Sequence, residues 1–212
     1  MIHLDFSQAS GHISDEEIRE WRSAFARCGG LHLRGLLSPI VTDYVAGRCS
    51  PDTFEPRDLG RLGIQIRCAD VAAEAAVTLA LNRSPLLRLL ERVTERSPIR
   101  SIVGHIARLA PNTDHQLTWH DDQNAPDRVL GLSVHLGRDA YEGGVFQLRT
   151  KQDRRLLWEI ANTDRGDMIA FTIAPALEHR VTPVTGAVAR TVFAGWAMTS
   201  PLSPRANVSA GA

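Results

Sequence analysis

Polar and apolar positions first fall into a regular spacing at residue 14. Ser14-Asp15-Glu16-Glu17 has the spacing of a capping box, Ile18, Trp21 and Phe25 follow at helical intervals, and Gly29-Gly30 stops the turn. This predicts a helix over 14–28. Residues 31–36 alternate like a short strand, and Ser38-Pro39 opens a second helical stretch carrying Val41, Tyr44 and Val45. A polar, proline-containing loop is expected over 49–63. Residues 70–81 are rich in alanine and leucine, and Ser84-Pro85 starts a further helix through Leu90 and Val93. Beyond residue 99 the runs become short and β-type, over 99–109, 129–136, 145–148, 155–160, 168–173 and 190–196, with turn residues between them. Helices first and strands afterwards predict an α+β fold, an antiparallel sandwich or barrel with helices packed on one face. The expected organisation is one domain over 1–199, with 1–98 a mainly helical buttress and 99–199 the β core. The segment 200–212, rich in Pro, Ser, Ala and Gly, reads as a flexible tail.

Composition narrows the partners. The 212 residues are 43% hydrophobic and carry 24 basic against 24 acidic side chains, for a formal net charge of zero. Without a basic excess, nucleic acid and anionic membrane surfaces are not expected as main partners. No run approaches the roughly 18 apolar residues of a membrane span, and the first residues lack the pattern of a signal peptide, so a cytoplasmic protein is expected. Cys28, Cys49 and Cys68 are an odd number at spacings that suit neither a disulfide framework nor a metal knuckle, and are expected to be reduced and mostly structural. Lys151 is the only lysine, so a functional cation is expected to be a guanidinium.

The sharpest local pattern is Trp119-His120-Asp121-Asp122. On an extended segment positions i and i+2 share a face, so His120 and Asp122 could converge on one metal ion while Asp121 points away. Alone, such a pair is usually a surface histidine beside a solvated aspartate. The later segments Gly166-Asp167-Met168-Ile169-Ala170-Phe171 and Glu178-His179-Arg180-Val181-Thr182-Pro183-Val184 supply a second imidazole on another strand. Two imidazoles and one carboxylate make the face that leaves open coordination positions on iron(II). Arg180 is expected to face away from that site, and Trp119 and Trp196 to pack. No role is expected for His105 or His115.

In this order the HxD pair, Tyr141-Glu142-Gly143-Gly144-Val145-Phe146-Gln147-Leu148, GDMIAF, HRVTPV and Arg190 resemble the Fe(II)- and 2-oxoglutarate-dependent oxygenase superfamily, across residues 99–198. The helical front half is similar, more loosely, to its phytanoyl-CoA-hydroxylase-like and prolyl-hydroxylase-like members. The resemblance implies a double-stranded β-helix, or jelly roll, with helices buttressing one sheet. It implies His120, Asp122 and His179 as iron ligands, Arg190 as the anchor for the distal carboxylate of 2-oxoglutarate, and Fe(II), 2-oxoglutarate and O2 as cofactors. The same resemblance makes His135 the lining of a co-substrate pocket, and a satisfied core histidine is an equal reading. An aspartate at position 122 argues against halogenation, because related halogenases carry a small residue there. The implied reaction is hydroxylation of an unactivated C–H bond in a small molecule or a carrier- or peptide-bound substrate, with release of succinate and CO2. Two other readings stay open: a cupin-like metalloenzyme or zinc hydrolase that does not use 2-oxoglutarate, and a catalytically silent jelly-roll binding protein. The sequence does not indicate an oligomeric state.

Overall fold

The computed structural model describes residues 3–5, 13–60, 63–96, 98–113, 117–161 and 164–202. Strand β1 (His3–Asp5) is followed by α1 (Asp15–Cys28), β2 (Gly30–Arg34), α2 (Pro39–Arg48), β3 (Phe54–Asp58), β4 (Ile64–Cys68), α3 (Val71–Leu81) and α4 (Ser84–Thr94). The second half is β: β5 (Ser101–Leu109), β6 (Leu117–His120), β7 (Arg128–His135), β8 (Glu142–Gly143), β9 (Phe146–Thr150), β10 (Leu156–Ile160), β11 (Met168–Thr172), β12 (Leu177–Val181), β13 (Val184–Thr185) and β14 (Arg190–Met198). No helix among the described residues is long and apolar enough to cross a membrane.

The helices begin and end where their local chemistry dictates. At α1 the Ser14 hydroxyl accepts from the Glu17 backbone, and the Glu17 carboxylate accepts from the Ser14 backbone at 2.8 Å. Gly29 closes the helix in the left-handed region at φ 70°. Asp70 caps α3 by accepting from the Ala73 N–H at 2.8 Å. In α4 the buried Leu86, Leu89, Leu90 and Val93 recur at helical spacing and turn one face inward.

Among the described residues three sheets form: an eight-stranded one ordered β1-β2-β11-β7-β14-β5-β4-β3, a four-stranded one ordered β10-β9-β12-β6, and the pair β13-β8. Alternation divides the core into two layers. Leu130, Leu132 and Val134 of β7 join the helices' apolar faces in one cluster, while Phe146, Leu148, Ile169, Phe171 and Val181 fill the space between the two large sheets. This is the double-stranded β-helix with helices on one sheet. Gly131 shows how tightly the inner space is filled: a Cβ there would lie 2.1 Å from the Phe171 ring.

The expected loop over 49–63 is corrected. After a 3-10 turn at Pro51–Thr53 it contains β3, which pairs antiparallel with β4, itself absent from the sequence reading. β3 is the outermost strand of the large sheet, where a proline such as Pro56 is tolerated and side chains stay wet, so it shows no apolar alternation. Most of the proposed tail lies outside the described residues.

Candidate metal centre

The two histidines meet across a strand pair. β6 runs antiparallel to β12 with His120 opposite His179, and their ring centroids lie 4.2 Å apart. The carboxylate arrives by a route the extended-strand expectation did not contain. β6 ends at His120, and Asp122 sits beyond it in the left-handed region at φ 57°. That turn, rather than strand alternation, swings the Asp122 carboxylate back: Oδ2 lies 3.5 Å from His179 Nε2 and Oδ1 3.8 Å from His120 Nε2. One donor atom from each of the three falls within 4.8 Å of the others, a spacing that could hold a metal ion. Asp121 turns outward to Lys151, as expected.

The protonation states suit metal binding. His120 Nδ1 lies 2.7 Å from the Thr118 carbonyl, which can only accept, so Nδ1 is the donor there and Nε2 is the ring atom turned toward Asp122. Burial holds His179 below its ordinary pKa, against the opposing pull of Asp122, and the neutral imidazole is the form that ligates. Burial raises the Asp122 carboxyl, but the hydrogen bonds from His179 and the Trp196 N–H, with the positive charge either imidazole would carry if protonated, more than offset it. The carboxylate is thereby kept ionised well below its usual range.

Around the triad stand residues the sequence reading left as packing or without a role. Trp196 Nε1 donates to Asp122 Oδ2 at 2.8 Å, and the Arg128 guanidinium covers the Trp196 ring at 3.8 Å. His105 lies 6.1 Å from the same ring and 2.8 Å from Gln65 Oε1, and burial pushes its pKa down to about 3. The signal for Trp196 was present: Arg190, Val192, Ala194 and Trp196 alternate along β14, so an inward Arg190 implies an inward Trp196. Phe146 and Phe171 flank the His179 ring at 5.8 and 4.5 Å and keep that side dry.

Arg190 is 3% exposed. Its Nε donates to the Tyr141 hydroxyl at 3.3 Å and its Nη2 to Ser133 Oγ at 3.0 Å, and it makes no ion pair among the described residues. A buried guanidinium held only by neutral groups retains donors for an anion. His135 lies two residues beyond Ser133 on β7, fully buried, its ring 5.2 Å from that of Tyr141. The Asp139 backbone approaches it, yet neither ring nitrogen completes a hydrogen bond among the described residues. Burial, then the Arg190 charge, push its pKa down to about 4. An unpaired buried cation and an unsatisfied buried imidazole on adjacent strands fit a bound carboxylate.

Arg180 faces the other way, as expected: it bonds Gln147 at 2.7 Å and stacks with Arg149 on Trp119, at 4.7 and 3.6 Å. Trp119 is therefore a packing residue of the outer face. His115 lies outside the described residues. Cavities of 490 and 340 Å³ open beside β10, and none of the triad residues or Arg190 lines them.

Residues 104–198 match the model of the 2OG-Fe(II) oxygenase superfamily. No curated protein matches the chain by sequence. Among solved structures it is similar to a Pseudomonas putida prolyl-4-hydroxylase, at 15% identity and TM-score 0.64 over 86% of this chain and 99% of that one. It is similar to an oxidoreductase of the 2OG-Fe(II) oxygenase family from Burkholderia pseudomallei, at 16% identity and TM-score 0.63 over 97% and 99%. It also resembles SnoN, a non-heme alpha-ketoglutarate-dependent epimerase of nogalamycin biosynthesis, at 14% identity and TM-score 0.63 over 87% and 83%. At these identities the likeness is one of fold.

Proposed function

We propose that this chain, whose residues 104–198 match the 2OG-Fe(II) oxygenase superfamily, is such an oxygenase, that His120, Asp122 and His179 hold Fe(II) and that Arg190 anchors the distal carboxylate of 2-oxoglutarate. The observation that carries this reading is the coexistence, inside one barrel, of a three-donor cluster and a buried guanidinium with no carboxylate partner among the described residues. Two neutral imidazoles and one carboxylate leave an iron(II) site near +1, which favours a dianionic co-substrate, and the far carboxylate then meets the Arg190 fork. A cupin-like dioxygenase or hydrolase would have no use for Arg190 in that position.

When bound, Fe(II), 2-oxoglutarate and O2 supply an oxidant that takes hydrogen from a substrate C–H bond as 2-oxoglutarate becomes succinate and CO2. The chain's own residues orient and insulate that chemistry. The Thr118 carbonyl fixes the His120 tautomer, and the Trp196 N–H fixes the Asp122 carboxylate. Ser133 and Tyr141 aim the Arg190 fork, while Phe146 and Phe171 exclude water from the His179 side. The reaction we assign is hydroxylation of a small molecule or a carrier- or peptide-bound substrate.

The test is calorimetric titration of 2-oxoglutarate into the anaerobic Fe(II)-loaded protein, beside Arg190→Met. Tight binding in the wild type that collapses in the variant is the expected result, and equal binding in both removes the anchor role. Once a substrate is found, a product one oxygen heavier supports hydroxylation, and a product of unchanged mass supports epimerisation.

A further inference from the structure

Cys49 caps the C-terminal end of α2 and Cys68 is the last residue of β4, and their sulfurs lie 3.3 Å apart in a buried contact. The two segments do not depend on that contact for their register. Arg48, beside Cys49, grips both carboxylate oxygens of Asp70 with its Nε at 2.9 and 3.0 Å and sets Nη2 2.9 Å from Oδ2. Asp70 in turn caps α3, and the Ala69 N–H donates to the Thr53 carbonyl at 2.7 Å, tying the end of β4 to the turn after α2. The backbone thus presents two thiols to each other with its own interactions already complete. Cys28 has a different environment: its sulfur lies 3.3 and 3.2 Å from the Ala24 and Gly30 carbonyls.

We propose that Cys49 and Cys68 are a dithiol that closes to an intramolecular disulfide under hydrogen peroxide, stapling the end of α2 to the β3–β4 hairpin. In the overall step two S–H bonds and the O–O bond break, one S–S bond and two water molecules form, and the sulfurs lose the two electrons that peroxide gains. A disulfide needs sulfurs about 2.05 Å apart, so the two, now 3.3 Å apart, must approach by roughly a further 1.25 Å.

The surroundings set the rate. Burial, with the neighbouring Cys68 sulfur, pushes the Cys49 thiol up to about 12, and the Arg108 guanidinium works weakly against that rise. The resting Cys49 thiol is therefore protected, because the thiolate is the nucleophile. Access comes through the hairpin: β3 forms the exposed edge of the large sheet, and an edge strand opens locally at lower cost than the core. The staple also reaches toward the triad. β4 carries Gln65, which holds His105 beside Trp196, and Trp196 holds Asp122. The pairing itself does not depend on which metal, if any, the triad binds.

The experiment exposes the reduced, folded, full-length protein to a few equivalents of hydrogen peroxide, then alkylates free thiols in denaturant and maps peptides by mass. The expected product has lost two hydrogens, joins the Cys49 and Cys68 peptides, leaves Cys28 alkylated and reverts with reductant. The oxidised form should melt roughly 5 to 10 °C higher, from closing a loop of about 20 residues. Cys28→Ser should behave as the wild type, and Cys68→Ser should lose both the cross-link and the shift. Recovery of Cys49 and Cys68 fully alkylated in the wild type, a cross-link through Cys28, or linkage only after denaturation overturns the proposal. The wild-type map decides even if a variant fails to fold.

Discussion

Replacing Trp196 by phenylalanine removes the hydrogen bond to Asp122 while keeping an aromatic ring, though a smaller one, against the inner core cluster. The indole N–H lies 2.8 Å from Asp122 Oδ2, while the ring packs under the Arg128 guanidinium at 3.8 Å and beside His105 at 6.1 Å, contacts a phenyl ring largely keeps. The acceptor is ionised and its side chain is only 16% exposed, so water replaces the lost donor poorly. A hydrogen bond to a charged group contributes about 1.5–3 kcal/mol. At about 1.4 kcal/mol per factor of ten, metal affinity should fall roughly 10- to 100-fold, the range found when outer partners of metal ligands are removed. Asp122 adds a reason: its φ of 57° is a strained backbone for a non-glycine residue, and loss of the anchor lets the carboxylate drift from the position that faces both imidazoles. The assay is anaerobic Fe(II) titration of wild type and variant by competition with a chromophoric chelator, with metal-free thermal melts to show that the variant is folded. A folded Trp196→Phe that binds Fe(II) as tightly as the wild type would refute the role assigned to the indole.

Arg190→Met should weaken 2-oxoglutarate binding by at least about 30-fold without lowering the melting temperature of the metal-free protein, since the guanidinium has no ion-pair partner among the described residues to lose; calorimetry and melting check both, and the reverse pattern would make Arg190 a structural cation. Gly131→Ala should cost about 1–3 kcal/mol of stability and weaken metal binding, because the new methyl drives Phe171, 2.1 Å away, toward the His179 ring it contacts at 4.5 Å; melts with and without metal measure it, and an unchanged protein would contradict the packing. His135 should make the fold acid-sensitive. Its folded pKa of about 4 lies below the unfolded 6.5, so its contribution is complete above pH 6.5 and lost as pH falls toward 4. A shift of that size corresponds to ~3 kcal/mol, with Arg190 and Arg165 favouring the neutral ring and Asp167 opposing them. His135→Leu should flatten denaturant stability across that window, apart from the similar slope that His105 leaves, and an unaltered slope would sink the assignment.

Legibility in the sequence followed the strength of local signals. Helix α1 was readable from its capping box and apolar spacing, α3 from its alanine- and leucine-rich run, and α4 from its leading proline and apolar spacing, each in agreement with burial. The apolar central strands β5, β7, β11 and β14 were readable for the same reason. The β3–β4 hairpin was not, because an edge strand with four exposed positions and a proline carries no alternation to detect. At the candidate site the donor types and their order were visible, but the geometry that joins them was not. His120 and His179 meet through strand register, and Asp122 through a left-handed turn, neither of which spacing encodes. The hydrogen bond from Trp196 and the contact between Cys49 and Cys68 are long-range outcomes of packing, so sequence alone left the first as a packing residue and the second pair as unrelated thiols.

Anaerobic addition of Fe(II) and then 2-oxoglutarate to the metal-free protein, followed by visible absorption, tests the metal and co-substrate site most directly. A 2-oxo acid chelated to iron(II) gives a weak charge-transfer band. The wild type should develop that band at one iron per chain, His179→Ala should not develop it at all, and Arg190→Met should need far more 2-oxoglutarate to reach it. Iron bound without the band, or a band that survives in His179→Ala, would contradict the assignment of His120, Asp122, His179 and Arg190 to one Fe(II) and 2-oxoglutarate site.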